Sequence, residues 1–316
     1  LIPQALNSAL YKSHGYIAVK DKLSNAEPIY AIQKYPANFE LLSSSFGAIF
    51  HSHYAIKLVR DWYPNKDLPV TQIPLLHEIK KPNKPDSLNK LGLSKDAFIV
   101  SSFGFLGASK CNLELLQAWQ QSAMANDTNA HLIFVGDGCN NAYQKQLQDF
   151  IHQHRLARVI ITGFVSTEMY EHYLSATSIA VQLRTLSRGE TSGTVLDCMA
   201  YGLPVIINQN GSMTEIDPNA TFQLPDQFNV AQLKEALETL YEGYELRASL
   251  SRNAQKRIEQ DHSPKVCAQR YAEVIEDFYQ HKNILDSDFY KNLAPLTQTL
   301  SDPELMQLAN TIAQNF

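Results

Sequence analysis

The architecture of this chain follows from SIAVQLRTLSRGETSGTVLDCMAYGLPVIIN, residues 178–208. An apolar run, SIAVQL, leads through a polar loop into a segment with apolar residues at four-residue spacing, and a second apolar run, LPVIIN, closes it. That order predicts a strand, a helix and a second strand lying parallel to the first. Because both runs are nearly continuous in apolar residues, we expect the sheet to be covered on both faces.

The same alternation extends toward the amino terminus. Three further runs predict strands: AFIVSSFG (97–104), HLIFVGDG (131–138) and RVIITGF (158–164). Helical stretches separate them, as is typical of βαβ units in an α/β fold. Ligands of such sheets lie outside the carboxyl ends of the strands, so the residues that follow each run are the candidates for function.

Four parts of the chain differ in pattern. FGAIFHS, residues 46–52, predicts a buried strand, and residues 53–63 predict the helix after it. Pro82 and Pro85 lie in a polar stretch that favours an extended or turning conformation. The predicted parts are 1–76, the rear portion of an N-terminal α/β domain; 77–95, a linker; 96–280, a complete α/β domain, helical from Val230; and 281–316, a polar helical tail. Since the chain begins with Leu1 rather than Met, we expect it to be a piece of something longer.

Composition excludes several classes of protein. Of 316 residues, 44% are hydrophobic and 19% are charged, which suits a large core and not a disordered chain. The net charge of −5 and the lack of a Lys/Arg block argue against nucleic acid as a partner. No apolar run approaches the roughly 20 residues of a membrane span, and there is no signal-peptide pattern. The widely spaced cysteines, Cys111, Cys139, Cys198 and Cys267, indicate neither zinc nor a disulfide framework, which favours the cytoplasm.

A first candidate for binding chemistry is SFGFLGASK, residues 102–110. Gly104 and Gly107 follow a predicted strand, and Lys110 stands at the entry of the next helix. Backbone amides at a helix start together with an ammonium group form a diphosphate site. The alternative is an ordinary glycine-rich turn with a solvated lysine, and the ending lacks the GK[ST] of a Walker motif.

A second candidate is VGDGCNNA, residues 135–142, which imitates a dinucleotide-binding fingerprint through Gly136 and Gly138. The next predicted strand ends without the acid that would hold the ribose of a nicotinamide cofactor. The motif also does not lie in the first βα turn of the domain. We therefore favour a tight turn that lets the backbone approach a ligand or a helix.

The loop and helix start inside residues 183–206 carry the most information. Arg184, Arg188 and Glu190 lie in the loop, and Thr191 or Ser192 is predicted to cap the helix. The free amides of Ser192, Gly193 and Thr194 form an anion site, with Asp197 in the first two turns. Glu190 and Asp197 have two interpretations. Either their carboxylates accept hydrogen bonds from sugar and ribose hydroxyls, or Glu190 is a solvated loop acid and Asp197 interacts with the helix dipole.

Together and in this order, the motifs resemble the donor-binding domain of family 4 retaining glycosyltransferases, which have two Rossmann-like domains in the GT-B architecture. The resemblance covers about residues 46–280. It rests on five elements: SFGFLGASK, VGDG, ITGF, GETSGTVLDCMAYGLPVI and, at 211–215, GSMTE. It implies an α/β fold of GT-B type, with a Rossmann-like parallel-sheet donor domain and a partial N-terminal Rossmann-like domain.

The resemblance also implies roles for residues. Lys110 corresponds to a diphosphate-binding lysine, Glu190 to an acid that holds the donor sugar, and Asp197 to an acid that holds the ribose. The resemblance assigns catalysis to Lys110, Glu190 and Arg184, and donor binding to Gly104, Gly107, Gly136, Gly163, Phe164, Arg188, Thr191, Ser192, Gly193, Thr194 and Asp197, with the base near Gly163 and Phe164.

This chain departs from the family pattern in three places. Phe105 replaces the usual arginine, so Arg184 or Arg188 has to neutralise the phosphates. The second acid is Asp197 rather than a glutamate, and it comes one residue early. The family's first domain normally supplies a strand-end His or Asp near the reacting sugar, and no such element precedes Leu1. His14 is interpreted as a surface residue of a helix rather than one that lines the cleft.

The implied activity is metal-free transfer of a sugar, with retention, from a UDP- or GDP-sugar. The implied acceptor is a glycan or a lipid-linked glycan in bacterial polysaccharide or lipopolysaccharide synthesis. No cofactor or metal is expected, and the expected location is cytoplasmic, with peripheral contact at the inner membrane face. ANTIAQNF, residues 309–316, resembles a segment that links one transferase domain to a further, covalently joined domain.

Two other functions fit the same residues. One is an inactive or truncated nucleotide-sugar-binding module that serves as a scaffold in a multidomain polysaccharide-assembly protein. The other is a sugar-nucleotide epimerase of the same architecture, which would need no acceptor.

Overall fold

The described part of the chain covers most of the sequence. The structure, a computed structural model, describes residues 3–24, 28–64, 68–138, 141–297, 301, 303–304 and 306–307. Cys139 and the ANTIAQNF segment lie outside the described residues. The predicted tail, 281–316, is therefore described mainly up to residue 297.

Strands and helices alternate through the described residues. The strands are β1 (Ala48–Phe50), β2 (Val70–Gln72), β3 (Phe98–Phe103), β4 (Ala130–Val135), β5 (Val159–Ile161), β6 (Ile179–Gln182), β7 (Val205–Asn208) and β8 (Phe222–Leu224). The helices are α1 (Pro3–His14), α2 (Tyr16–Ser24), α3 (Pro28–Lys34), α4 (Phe39–Ser43), α5 (His53–Trp62), α6 (Lys84–Lys90), α7 (Asn112–Gln121), α8 (Asn141–Gln153), α9 (Thr167–Ala176), α10 (Gly193–Ala200), α11 (Val230–Glu242), α12 (Tyr244–Arg257) and α13 (Pro264–Thr297). Short 3₁₀ turns span Ala108–Lys110, Ala123–Asn126 and Gly211–Glu215, and a π-helical turn spans Ile258–His262.

A six-stranded parallel sheet forms the larger part of the molecule, in the order β5-β4-β3-β6-β7-β8. The strand β3 pairs with β4 on one side and with β6 on the other. Strand order reverses between β3 and β6, and a crevice opens at such a switch point outside the carboxyl ends of the strands. The fold thus places the ends of β3 and β6 where a ligand of this class of sheet binds.

Both faces of this sheet are covered, as the continuous apolar runs predicted. Neighbouring residues on a strand point to opposite faces, and Ile99 and Val100 accordingly belong to two different buried clusters. The helix α10 packs into the first cluster through Val195 and Met199. Trp119 of α7 lies in the second, and the predicted α/β class is confirmed.

All five strands predicted for the larger sheet are present. The strands β2 and β8 and the helix α6 were not predicted. The strands β2 and β8 each contain three residues, of which Gln72 and Gln223 are polar, so neither gives an apolar run. The predicted linker, 77–95, contains α6, because Asn83 caps the helix and a proline occupies its first turn. The extended interpretation is therefore wrong for residues 84–90.

The preceding residues form a smaller unit. The strands β1 and β2 are parallel and joined through α5, and β1 is half-buried rather than buried. His14 lies on neither a bare surface nor the cleft: its Nε2 lies 2.6 Å from the carbonyl oxygen of Pro36, and its ring stacks on Tyr63. The surface interpretation of His14 is wrong, because aromatic packing holds it.

The long helix α13 returns from the larger unit to the smaller one. At Gly47 an added Cβ would lie 2.3 Å from the ring of Phe278, so α13 packs directly against the backbone before β1. The segment around His77, here called the crossing segment, leads from the smaller unit to the larger one. The amide of His77 donates to the carbonyl oxygen of His262 at 2.8 Å. Among the described residues, no helix is long and apolar enough to cross a membrane.

Candidate functional site

Three glycine turns shape the carboxyl edge of the sheet. Gly104, Gly136 and Gly163 follow β3, β4 and β5 and have φ values of 104°, 150° and 70°. Glycine is needed most strongly at Gly136, where a Cβ would lie 2.1 Å from the carbonyl oxygen of Gly104. The backbone of this turn thus approaches the loop after β3, whereas the VGDG interpretation predicted an approach to a ligand or a helix.

The amides of these turns are already engaged within the protein. Gly107 donates to Oδ1 of Asn112 at 3.0 Å, and Gly136 donates to the hydroxyl of Thr162 at 3.2 Å. The amide of Gly104 donates to a carbonyl oxygen of β4 at 3.0 Å. Gly104, Gly107 and Gly136 therefore set the course of the loops rather than offer free amides to an anion.

Lys110 lies at the end of the 3₁₀ turn Ala108–Lys110, before α7 rather than inside it. The carbonyl oxygen of Ser109 accepts from the amide of Thr185 at 3.0 Å. This bond fastens the lysine turn to the loop that follows β6. Two motifs whose bonded residues, Ser109 and Thr185, are 76 positions apart in sequence therefore meet at the switch point.

Lys110, Arg184 and Glu190 form one electrostatic cluster. Arg184 donates from Nη1 to Oε1 of Glu190 at 2.9 Å, and the amide of Arg188 donates to Oε2 at 2.7 Å. Burial and the charge of Arg184 lower the pKa of Lys110, and the Glu190 carboxylate opposes this. Burial likewise lowers the pKa of Arg184, whose side chain is only 10% exposed. Two cations thus share one carboxylate.

The start of α10 adds backbone donors beside this cluster. Ser192 occupies the N-cap position, but its side chain accepts no amide hydrogen bond, so neither it nor Thr191 caps the helix as predicted. Its hydroxyl lies 3.2 Å from that of Thr194 instead. In the described part of the chain the amides of Gly193 and Thr194 have no acceptor. A Cβ on Gly104 would lie 3.8 Å from Thr194, so the loop after β3 lies alongside this helix start.

Asp197, three residues after Thr194 on α10, is held by two residues that the sequence analysis missed. Its Oδ2 accepts from the hydroxyl of Tyr170 at 2.9 Å, and its Oδ1 lies 3.2 Å from Nε2 of His77. Tyr170 comes from α9, and burial raises its pKa strongly. His77 comes from the crossing segment, and its Nδ1 is buried without a partner among the described atoms. Only the fold reveals these neighbours, since no local pattern marks either residue.

The remaining predicted residues line the open edge. Phe164 is 88% exposed beside Gly163, and Phe105 is 66% exposed after Gly104. Arg188 is exposed in its side chain.

Two residues of the GSMTE segment bind other parts of the chain, Ser212 the Glu190 loop and Glu215 the helix α5. Ser212 donates to the carbonyl oxygen of Glu190 at 2.7 Å. Glu215 accepts from the amides of His53 and Tyr54, at 2.9 and 2.6 Å, and so binds the amino end of α5. Glu215 thereby joins the larger unit to the smaller one. The described side chains include no cluster of three or more metal-binding groups.

The sequence pattern of the glycosyl transferases group 1 family matches residues 83–257, which is more than half of the chain. The chain belongs to this family. No curated protein sequence matches it significantly. The match spans every strand of the six-stranded sheet and the cluster around Lys110.

Solved structures show the same fold at low sequence identity. HepE from Anabaena, in complex with UDP and glucose, is 18% identical with a TM-score of 0.61, and the match covers 79% of this chain and 65% of HepE. Sucrose-phosphate synthase from Thermosynechococcus elongatus is 20% identical with a TM-score of 0.64, over 87% of this chain and 66% of that one. The C-terminal domain of LpcC, a group 1 glycosyl transferase from Francisella tularensis, is 16% identical with a TM-score of 0.52, over 59% and 96%.

This member of the family therefore has the GT-B fold, as the resemblance implied. The chain spans slightly less than two thirds of the length of HepE and of sucrose-phosphate synthase. Its described residues contain the complete six-stranded sheet and a smaller front part.

Proposed function

We propose that this chain transfers a sugar from a UDP- or GDP-sugar, with retention and without a metal ion, as a family 4 glycosyltransferase. The observation that carries the proposal is the cluster of Lys110, Arg184 and Glu190 beside the free amides of α10. Two cations that share one carboxylate have one uncompensated positive charge, which a diphosphate would neutralise. HepE binds UDP and UDP-glucose in solved structures, which supports this class of donor.

Each part of the site has a chemical task in this proposal. Lys110 and the amides of Gly193 and Thr194 bind the diphosphate and stabilise the charge that develops as it departs. Arg184 supplies the second cation, in place of the arginine that Phe105 replaces. Glu190 holds hydroxyls of the donor sugar.

The nucleoside end has its own residues in the proposal. Asp197, oriented by Tyr170 and His77, accepts from the ribose hydroxyls. Phe164 and Gly163 contact the base, since Phe164 stands exposed at the end of β5. A carboxylate with a hydroxyl donor on one oxygen keeps lone pairs free for a ribose.

The proposal extends to the setting of the reaction. Residues 1–76 belong to an acceptor-side domain, 77–95 connect it to the donor domain at 96–280, and 281–316 lead toward a further domain. The acceptor is a glycan or a lipid-linked glycan of bacterial polysaccharide or lipopolysaccharide synthesis. The location is cytoplasmic, at the inner membrane face, consistent with three described cysteines that are buried free thiols.

Calorimetric titration with UDP and with GDP tests the donor site. We expect one of them to bind, and Lys110→Ala to weaken binding by roughly 10- to 150-fold, the value of a charge-assisted hydrogen bond of about 1.5–3 kcal/mol. Lys95→Ala is the matched control. This exposed lysine lies before the amino end of β3, whereas Lys110 lies after its carboxyl end, at the opposite edge of the sheet. Equal binding by wild type and Lys110→Ala would refute the assignment of Lys110 to the diphosphate. In a separate activity assay, conversion of a UDP-sugar without an acceptor would indicate an epimerase.

A further inference from the structure

The loop that carries Glu190 packs directly on α5 of the smaller unit. Gly189 has a φ of 100°, in the left-handed region that favours glycine. A Cβ added there would lie 3.2 Å from the Cβ of Ala55 and 3.3 Å from Cδ1 of Leu58, closer than most side-chain contacts. The backbone of the loop therefore lies against α5 with no side chain between them.

Ser52 joins this loop to the helix through a single hydroxyl group. The hydroxyl caps α5 by accepting from the amide of Ala55 at 3.1 Å. It also donates to the carbonyl oxygen of Gly189 at 3.3 Å. Ser52 is only 3% exposed, so both bonds are shielded from water. The same atom thus begins a helix of the smaller unit and holds a loop of the larger one.

Ser212 of the larger unit holds the next carbonyl group of the loop. Its hydroxyl donates to the carbonyl oxygen of Glu190 at 2.7 Å, and this residue is also buried. Two successive carbonyl oxygens, those of Gly189 and Glu190, are therefore bound by two buried hydroxyls, one from each unit. The path of the Glu190 backbone thus depends on the smaller unit as well as on the larger one.

The groups proposed to bind the diphosphate have no such dependence. Lys110 and the amides of Gly193 and Thr194 belong to the larger unit, and so does the bond from Thr185 to Ser109 that fastens the lysine turn. Among the described hydrogen bonds, none joins Lys110, Gly193 or Thr194 to the smaller unit. The two parts of the proposed donor site are therefore held in place by different contacts.

Resting on the proposed transferase function, we infer that Ser52 is a positioning residue for recognition of the donor sugar. It places the loop of Glu190 so that the carboxylate reaches the sugar hydroxyls, and it takes no part in binding the nucleotide. The smaller unit thereby acts on the donor sugar through one hydrogen bond, whereas affinity for the nucleotide belongs to the larger unit.

Calorimetric titration of the full chain separates these two kinds of recognition. The probes are UDP, GDP, UDP-glucose, UDP-galactose, UDP-N-acetylglucosamine and GDP-mannose. We expect Ser52→Ala to weaken binding of the nucleotide sugar that wild type prefers by about five-fold or more, the value of one hydrogen bond. Binding of the corresponding nucleotide should change by less than about two-fold, since it brings no sugar for Glu190 to hold.

Two further variants separate the loop bond from the helix cap. Asn83→Ala is the matched control, because Asn83 caps α6 by accepting from the amide of Asp86 at 3.4 Å. Its neighbour Lys84 donates to Ser178, which precedes β6, so this cap lies at the amino edge of the sheet. Asn83→Ala should lower the melting temperature as Ser52→Ala does, but leave binding of the nucleotide sugar unchanged. Ser52→Thr keeps the hydroxyl and should bind the nucleotide sugar within about two-fold of wild type.

The effect of Ser52 must also pass through Glu190. In a Glu190→Ala background, Ser52→Ala should cause no further loss of nucleotide-sugar binding, because the carboxylate that it positions is already absent. The inference would be overturned by full additivity of these two changes, by equal binding in Ser52→Ala and Asn83→Ala, or by a loss in Ser52→Thr as large as in Ser52→Ala.

The same titrations distinguish failure of this inference from failure of the donor proposal. If wild type binds a nucleotide and a nucleotide sugar, and Ser52→Ala binds both equally well, the donor proposal stands and the role of Ser52 is refuted. If wild type binds none of the six probes, the donor proposal fails and the role of Ser52 fails with it.

Discussion

The pair Arg184 and Glu190 predicts an unequal response to the loss of each partner. The Arg184 side chain is 10% exposed, whereas the Glu190 side chain is 45% exposed. Glu190→Gln leaves a buried guanidinium opposite a neutral amide, with the Lys110 ammonium close by. Arg184→Met leaves a carboxylate that water can solvate. We therefore expect Glu190→Gln to be the more destabilising change.

The expected magnitudes follow from this exposure. Breaking a buried ion pair costs about 3–5 kcal/mol when the remaining charge stays buried. Because half of Glu190 already faces water and glutamine still accepts a hydrogen bond, we expect Glu190→Gln to lower the free energy of unfolding by about 2 kcal/mol. Arg184→Met should lower it by about 1 kcal/mol or less, the range of exposed pairs.

Urea denaturation followed by circular dichroism measures both changes, and calorimetry measures UDP affinity in parallel. UDP lacks the donor sugar that Glu190 is proposed to hold, so Glu190→Gln loses no contact with this ligand. The variant should bind UDP more tightly, because the carboxylate no longer competes with the diphosphate for the two cations. Arg184→Met should bind UDP more weakly. A larger loss of stability in Arg184→Met, or weaker UDP binding in Glu190→Gln, would refute the view that the pair is one buried cation with a solvated partner.

Three further outcomes are expected. Gly136→Ala should abolish UDP binding and lower the melting temperature, because its Cβ would lie 2.1 Å from the carbonyl oxygen of Gly104; wild-type melting would contradict the close approach of the loops. Asp197→Asn should weaken UDP binding by several-fold but not the binding of inorganic diphosphate, as measured by calorimetry, and equal losses would argue against a ribose contact. Burial raises the pKa of the Cys111 thiol to about 12. In a Cys139→Ser background, Cys111 should therefore resist a thiol-specific reagent at pH 8 until the protein unfolds. Rapid labelling of Cys111 in the native protein would contradict its burial.

The sheet could be predicted because its strands carry long apolar runs. Both faces are buried, so β3, β4 and β7 read as continuous hydrophobic stretches, which is the strongest signal that a parallel strand gives. The strand β8 lacks this signal because its middle residue, Gln223, is polar, whereas the equally short edge strand β5 is apolar throughout. The helix α6 was missed because prolines were taken as breakers, although a proline in the first turn begins a helix.

The candidate site could be predicted only in part. Lys110 and Glu190 were assigned through motifs, and the structure brings them together through the bond between Ser109 and Thr185. The partners of Asp197, namely Tyr170 and His77, come from segments 27 and 120 residues away. Nothing local marks such contacts, because they arise from how α9 and the crossing segment pack on α10. The amide of Gly104 is occupied for the same reason, since its acceptor is the carbonyl oxygen of Val135 on β4, whereas the amide of Gly107 donates to Asn112, five residues further along the chain.

The returning helix α13 has a consequence for the order in which the molecule assembles during synthesis. Its contact between Gly47 and Phe278 joins residues 231 positions apart, and the bond from His77 to His262 spans 185. Contacts this distant form late, since a long loop has to close before they can stabilise anything. The last strand of the six-stranded sheet ends at residue 224, so the sheet can fold on the ribosome before α13, which packs on the front part, has been synthesised. We therefore expect the junction between the two parts to form after the six-stranded sheet.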